Sequence, residues 1–162
     1  MKKLKIYIDT SVINHLLADD VPERMKKTNK FWEYLREGEY KGYISELVVA
    51  EIVSCPEPKK SKLEYILYNT VLFKLEITDE VVDLAEKYIN EGLFPQKYRD
   101  DAVHVALATV YGCNVLVSWN FKHMVKLKTI FGVNGINKML GYASLEIVTP
   151  EFFTGEEESE DE

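Results

Sequence analysis

Leu4-Lys5-Ile6-Tyr7-Ile8-Asp9-Thr10-Ser11 opens the chain with an apolar run that stops at a carboxylate followed by two hydroxyls. The run has the length and side chains of a buried strand, and Thr10-Ser11 form a helix-start signal ahead of a short helix over 12–17. Working outward, the same alternation recurs. A helix fits 23–37, with Phe31, Trp32 and Leu35 on one face and Gly38 past its end. Tyr43-Ile44 is a short strand, and Ser45 can cap a helix over 46–54 that Pro56 and Pro58 terminate. A helix over 59–69 precedes a strand over 71–75. Thr78-Asp79-Glu80 begins the next helix, which Gly92 and Pro95 break. The stretch 100–111 is apolar on nearly every side, which marks a buried helix. A strand over 114–119, a helix over 122–140 and a strand over 145–148 complete the pattern. Strands separated by helices imply parallel crossovers and a sheet covered on both faces. The expected fold is therefore α/β, a three-layer α/β/α sandwich around a central parallel sheet.

Three carboxylates break the apolar pattern. Asp9 ends the first strand, Glu51 interrupts Leu47-Val48-Val49-Ala50-Glu51-Ile52-Val53, and Asp101 opens Ala102-Val103-His104-Val105-Ala106-Leu107-Ala108. A charge held against a core costs several kcal/mol, by order of magnitude, unless it is compensated. Three acids that converge also repel one another, so one divalent cation shared among them is an economical compensator. In open parallel sheets ligands bind beyond the carboxyl ends of the strands, where Asp9 and Asn120 both fall. Each acid has a plainer reading. Asp9 can simply cap the first helix. Glu51, with Leu47, Val48, Ser54 and Cys55 as its helical neighbours, can belong to a structural ion pair or reach solvent at the helix edge. Of Asp100 and Asp101, one can cap the buried helix; Asp101 shares the inward face with Val105 and Ala108 and is the expected ligand, with Asp100 in the supporting place. Oxygen donors of this kind suit Mg²⁺ or Mn²⁺. His15, His104 and His123 lack zinc-ligand spacing, and His104 reads as a core histidine with one satisfied hydrogen bond. His123 lies beside Lys122, Lys126 and Lys128, a setting for phosphate contact.

The chain has 162 residues, 46% of them hydrophobic, enough for one domain with a real core. Its net charge of −7 is concentrated at the end, where Glu156-Glu157-Glu158-Ser159-Glu160-Asp161-Glu162 carries six acids and no base. Without them the remainder is near neutral, about −1, so overall acidity does not exclude a polyanionic substrate. The expected organisation is one domain over 1–153 and an acidic tail over 154–162. No apolar stretch approaches the roughly 20 residues that cross a bilayer, and Met1-Lys2-Lys3 leads too quickly into Asp9 to be a secretory signal. Cys55 and Cys113 stand alone, which suits a reduced compartment and a cytoplasmic location. Glycine-rich phosphate loops and nucleophile elbows are absent.

Taken together, Ile6-Tyr7-Ile8-Asp9-Thr10-Ser11-Val12-Ile13, Val49-Ala50-Glu51-Ile52, Asp101-Ala102-Val103-His104-Val105-Ala106-Leu107-Ala108 and Leu116-Val117-Ser118-Trp119-Asn120-Phe121-Lys122-His123 resemble the PIN domain family, and within it the group of VapC-type toxins. The resemblance spans about residues 4–150. It implies a Rossmann-like α/β/α sandwich and a Mg²⁺- or Mn²⁺-dependent ribonuclease, with RNA as substrate, a small antitoxin as partner and a homodimer as assembly. By position it makes Asp9, Glu51 and Asp101 the acids of the site, and Thr10 or Ser11 the hydroxyl supporting the first. Asn120 falls where many relatives carry a fourth Asp, so this chain has one charge fewer. The implied roles are metal binding by Asp9 and Asp101, orientation or deprotonation of water by Glu51, and completion of the shell by Asn120. Lys122, His123, Lys126 and Arg99 would meet phosphates. The alternative is a catalytically weak module of the same fold that binds RNA or protein, with Asn120 as its motivating feature.

Overall fold

The structure is a computed structural model and describes residues 2–154. Five parallel strands form one sheet: β1 (Lys5–Ile8), β2 (Lys41–Ser45), β3 (Leu72–Leu75), β4 (Val115–Val117) and β5 (Glu146–Val148), in the spatial order β3-β2-β1-β4-β5. Seven α-helices join them: α1 (Thr10–His15), α2 (Pro22–Arg36), α3 (Glu46–Val53), α4 (Lys59–Tyr68), α5 (Asp79–Asn90), α6 (Arg99–Val110) and α7 (Leu127–Met139). Helix α1 packs on α2 and α3, and α3 on α4. On the other side, Tyr88 of α5, Thr109 of α6 and Asn137 of α7 are joined by buried hydrogen bonds. Right-handed crossovers put these two groups on opposite faces of the sheet. The expected three-layer sandwich with a parallel sheet is the observed one.

Strand order reverses between β1 and β4, the adjacent central strands from which the chain runs outward in opposite directions. Their register pairs Ile8 with Val117, which sets Asp9 beside Ser118 at the carboxyl end of the sheet. Both strands are almost wholly buried; Ile6, Tyr7, Ile8, Leu116 and Val117 are fully enclosed. Helix α6 has buried residues at every position from Ala102 to Thr109, matching its all-round apolar sequence.

Local chemistry explains most boundaries. Ser45 and Thr78 accept the amides of Val48 and Val81 and so start α3 and α5. Of the boundaries left to settle, one is decided between its two readings and two change. The cap of α1 is Asp9 itself, whose carboxylate accepts the Val12 amide, rather than Thr10 or Ser11, which already lie inside or against the first turn. Neither Asp100 nor Asp101 caps α6: the residue before the helix is Tyr98, which makes no side-chain cap, and both acids lie in the first turn. The helix expected over 122–140 begins only at Leu127. Asn120 holds the preceding residues in a tight turn, its side-chain oxygen accepting the His123 amide and its backbone carbonyl the amides of Met124 and Val125. Thr154 is buried; the rest of the expected acidic tail, from Gly155 onward, lies outside the described residues.

Candidate functional site

The carboxyl ends of β1 and β4 supply the floor of the site. Asp9 is only 3% exposed. Its Oδ1 accepts the Ser11 hydroxyl at 2.6 Å and the Val12 amide at 3.2 Å, and its Oδ2 accepts the Ser118 hydroxyl at 2.5 Å. Ser11 Oγ in turn accepts the Trp119 amide at 2.9 Å, and Ser118 Oγ the Asn120 amide at 2.9 Å. Burial raises the Asp9 carboxyl above its ordinary value, against the pull of the nearby His104 and of these donors. Asp9 is thus both a helix cap and the innermost acid of the mouth. The cap reading that the sequence left open is present, and it leaves Asp9 at the mouth of the sheet.

Glu51 projects from α3, near the turn where α1 begins. Its Oε1 accepts the Thr10 hydroxyl at 3.0 Å and lies 2.7 Å from His104 Nε2. Burial works against its charge, yet the His104 hydrogen bond and charge and the Thr10 hydroxyl outweigh it and hold the carboxyl below its ordinary value. The structural ion pair left open for Glu51 is therefore present, with His104 as its partner.

Sequence reasoning placed His104 in the core with one hydrogen bond, and the core placement holds. It has two partners rather than one: Nε2 on Glu51 and Nδ1 at 2.7 Å from the Tyr7 hydroxyl, which also lies 2.8 Å from Ser45 Oγ. Burial pulls its pKa down, but the Glu51 hydrogen bond and the charges of Asp9, Glu51 and Asp101 together raise it. One imidazole thus feels all three acids. The signal was present in the chain, because Asp101 and His104 stand three residues apart and share a helix face.

Asp101 faces the mouth from the first turn of α6 while Asp100 is exposed. Asp101 Oδ2 lies 2.9 Å from His123 Nδ1, and the His123 ring lies against Tyr98 with centroids 4.1 Å apart. The rim beyond is basic. A cavity of about 650 Å³ is lined by Lys122, His123, Lys126 and Lys128 on one side and by Leu93, Phe94 and Pro95 on another. Gly132 of α7 admits the Leu93 side chain, since a Cβ there would collide with it. Of the expected phosphate contacts, Lys122, His123 and Lys126 line this cavity. Arg99 is not among its lining residues and pairs with Glu86 at 3.5 Å.

The donor chemistry fits a hard divalent cation. The acids are oxygen donors, burial of Asp9 outweighs the compensation that His104 gives its charge, and no hydrogen bond within the described residues reaches Glu51 Oε2 or Asp101 Oδ1. They are not, however, a ready-made cage. Among the described residues no three His, Cys, Asp or Glu side chains are grouped closely enough to hold a metal. Glu51 and Asp101 each turn one oxygen to an imidazole instead. The mouth thus gathers Asp9, Glu51 and Asp101 around His104 electrostatically without closing their oxygens on one point.

Comparison with known proteins agrees with this architecture. The family model described as PIN domain matches residues 6–122. No curated protein is similar to the chain at a significant level. Among solved structures, VapBC2 from Rickettsia felis, bound to a DNA fragment from its promoter, is similar with a TM-score of 0.56 at 15% identity, over 90% of this chain and 98% of that one. VapC20 of Mycobacterium tuberculosis, a toxin that cleaves the sarcin-ricin loop, is similar with a TM-score of 0.57 at 15% identity, over 73% of this chain and 92% of that one.

Proposed function

The chain belongs to the PIN domain family, and from that premise we propose that it is a metal-dependent endoribonuclease that hydrolyses RNA phosphodiester bonds at the mouth formed by Asp9, Glu51 and Asp101. The observation that carries this reading is the junction itself. A buried, ionisable Asp9 sits where strand order reverses, with Glu51 and Asp101 acting on the same His104 and a basic cavity alongside.

Asp9, Asp101 and Glu51 would hold Mg²⁺ or Mn²⁺, with Asn120 contributing its amide oxygen in this reading. A bound divalent ion would polarise the scissile phosphate and lower the pKa of water. The protein groups have separate tasks. Ser11 and Ser118 fix both oxygens of Asp9, so its orientation is set before substrate arrives. Thr10 and His104 hold Glu51 by Oε1 and favour its anion, leaving Oε2 to accept a proton from attacking water. Lys122, Lys126 and His123 position the phosphate backbone without reading its sequence. Arg99, paired with Glu86, takes a lesser part.

Three further points extend the proposal. The VapBC2 and VapC20 likenesses support a toxin role with a small antitoxin as partner, and we extend the proposal to a homodimer as assembly. No helix among the described residues is long and apolar enough to cross a membrane, and a cytoplasmic site of action accords with an RNA substrate. The catalytic unit is residues 1–153, with 154–162 as an appended acidic tail. The second reading, a weakly active binding module, is favoured by Asn120 and by the open arrangement of the acids. The test is cleavage of single-stranded RNA with and without Mn²⁺, beside Asp101→Asn, together with calorimetric Mn²⁺ titration. Metal-dependent cleavage lost in Asp101→Asn supports the nuclease. RNA binding without cleavage and without metal uptake at millimolar concentration would transfer support to the module.

A further inference from the structure

The loop after β4 carries aromatic residues on both flanks, and only one flank is explained by the basic cavity. On the other flank, Arg24 of α2 lies over Trp119 at 5.4 Å and over Phe121 at 5.2 Å. Trp119 is fixed: its indole N–H donates to Thr28 Oγ1 at 2.8 Å, its backbone amide donates to Ser11 Oγ at 2.9 Å, and the His15 ring packs 5.6 Å away. It is therefore joined to Asp9 through the single Ser11 hydroxyl. Phe121, 6.2 Å from Trp119, follows Asn120 directly and keeps 45% of its surface open.

Packing alone does not account for this cluster. A phenyl ring recruited to seal the loop would be enclosed, as Trp119 is, and an arginine recruited for a surface ion pair would meet a carboxylate. Arg24 is exposed and pairs with no carboxylate among the described residues. An open aromatic face beside an unpaired guanidinium has the composition of a single-stranded nucleic-acid platform, where bases stack on rings and arginine meets phosphate or ring. The far flank repeats the theme, with Tyr98 against His123 and beneath Lys97 and Lys122.

We propose that Arg24 and Phe121 form a nucleotide subsite: one unpaired base of the RNA stacks on Phe121 and an adjoining phosphate pairs with Arg24, on the side of the mouth opposite the lysine-lined cavity. This rests on the ribonuclease reading and adds a second flank to it, so that the strand crosses the mouth held on both sides of Asp9. Phe121 acts through stacking and is tolerant of base identity; Arg24 supplies charge.

The experiment is an abasic scan. Fluorescein-labelled single-stranded RNA 10-mers, each lacking one base, are titrated by anisotropy against the Asp101→Asn protein, which binds without cutting. One position is expected to weaken binding about tenfold, the scale of one lost stacking contact. Adding Phe121→Ala abolishes that positional penalty, and Phe121→Trp restores it. Arg24→Ala weakens all oligomers and reduces the slope of log affinity against log salt by about 0.7, as expected for one phosphate contact on a single strand. A positional penalty that survives Phe121→Ala, or Phe121→Leu binding as tightly as its parent, overturns the subsite. If wild type cleaves RNA while the scan is indifferent to Phe121, only the subsite falls; if wild type neither binds nor cleaves RNA, the ribonuclease reading falls with it.

Discussion

Asp9 and Asp101 are the same residue type at one mouth, and they live in opposite circumstances. Asp9 ends a central strand, is buried, and has both oxygens engaged by a backbone amide and two hydroxyls. Asp101 rides on the first turn of a helix, caps nothing, and shows one hydrogen bond, to His123. The strand-end acid is part of how the chain folds, whereas the helix acid is held by packing that would survive its removal. A carboxylate at such a mouth can therefore be inseparable from the fold or detachable from it, depending on which element presents it.

The sharpest way to break this comparison is Asp9→Ala against Asp101→Ala. Asp9→Ala removes a helix cap, worth about 1 kcal/mol, and strands the Ser11 and Ser118 hydroxyls, at about 1–3 kcal/mol for each unsatisfied group. The relief of a buried charge offsets part of this loss, leaving a net destabilisation of about 2 kcal/mol and no activity. Asp101→Ala should also be inactive but lose less, about 1 kcal/mol, the scale of its one hydrogen bond to His123. Equal melting losses in the two variants would remove the distinction.

Asp9→Asn separates cap from charge. The amide oxygen can still accept from Ser11 and Val12, while the charge disappears and the amide nitrogen faces Ser118 Oγ, which must then accept instead of donate. Because burial raises the Asp9 pKa above its unfolded value of 3.8, its ionisation costs stability, and that cost grows as pH rises through the folded value. Asp9→Asn should therefore be inactive and at least as stable as wild type at pH 7, with the difference shrinking toward pH 3. Thermal melts from pH 3 to 7 check this, and a variant less stable than wild type throughout would show that burial of the charge is already compensated.

How far the sequence revealed this site depended on which interactions make it. The strand-to-acid-to-hydroxyl order at Ile8-Asp9-Thr10, the Ser45 and Thr78 caps and the all-round apolar 100–111 stretch are local, so they were readable. The pairing of Asp9 with Ser118 is not local. It exists because β1 and β4 are neighbours 109 residues apart and in register, and strand order cannot be read from a linear pattern. His104 was misjudged for a related reason. An apolar helix face argued for a core position, which is correct, but a buried imidazole needs polar partners, and Tyr7 and Glu51 come from other elements. Arg24 was invisible because its rings, Trp119 and Phe121, lie nearly a hundred residues away.

His104 supplies the next test, since it bonds Glu51 and lies within the electrostatic reach of both Asp9 and Asp101. Its pKa is raised above 6.5, so the stability it contributes as a cation is complete below about 6.5 and fades as pH climbs through the folded value. The lowered Glu51 carboxyl behaves oppositely, contributing fully above 4.5 and fading as pH falls through its folded value. The pair is thus strongest between those limits. His104→Gln should cost about 2 kcal/mol near pH 5.5, the scale of a hydrogen bond to a charged group, and the gap to wild type should narrow at alkaline pH. Melts showing a gap independent of pH would mean that His104 is neutral throughout, its Nε2–H donating to Glu51 and its Nδ1 accepting from Tyr7.

The smallest effect belongs to the exposed rim, where the comparison predicts detachability most strongly. Lys122 and Lys126 sit at the surface and line the cavity beside Asp101. Replacing both with Ala should leave melting within about 0.5 kcal/mol of wild type, because Lys122 gives up only a ring contact with Tyr98 at 5.8 Å. RNA affinity should fall modestly and equally for every sequence, with the salt slope reduced by about 1.4 for two lost contacts to a single strand. A loss confined to particular sequences would mean that these lysines read bases, and the cavity would then be a specificity pocket rather than a backbone track. An unchanged slope would move the RNA path off these two lysines and toward the Arg24 flank.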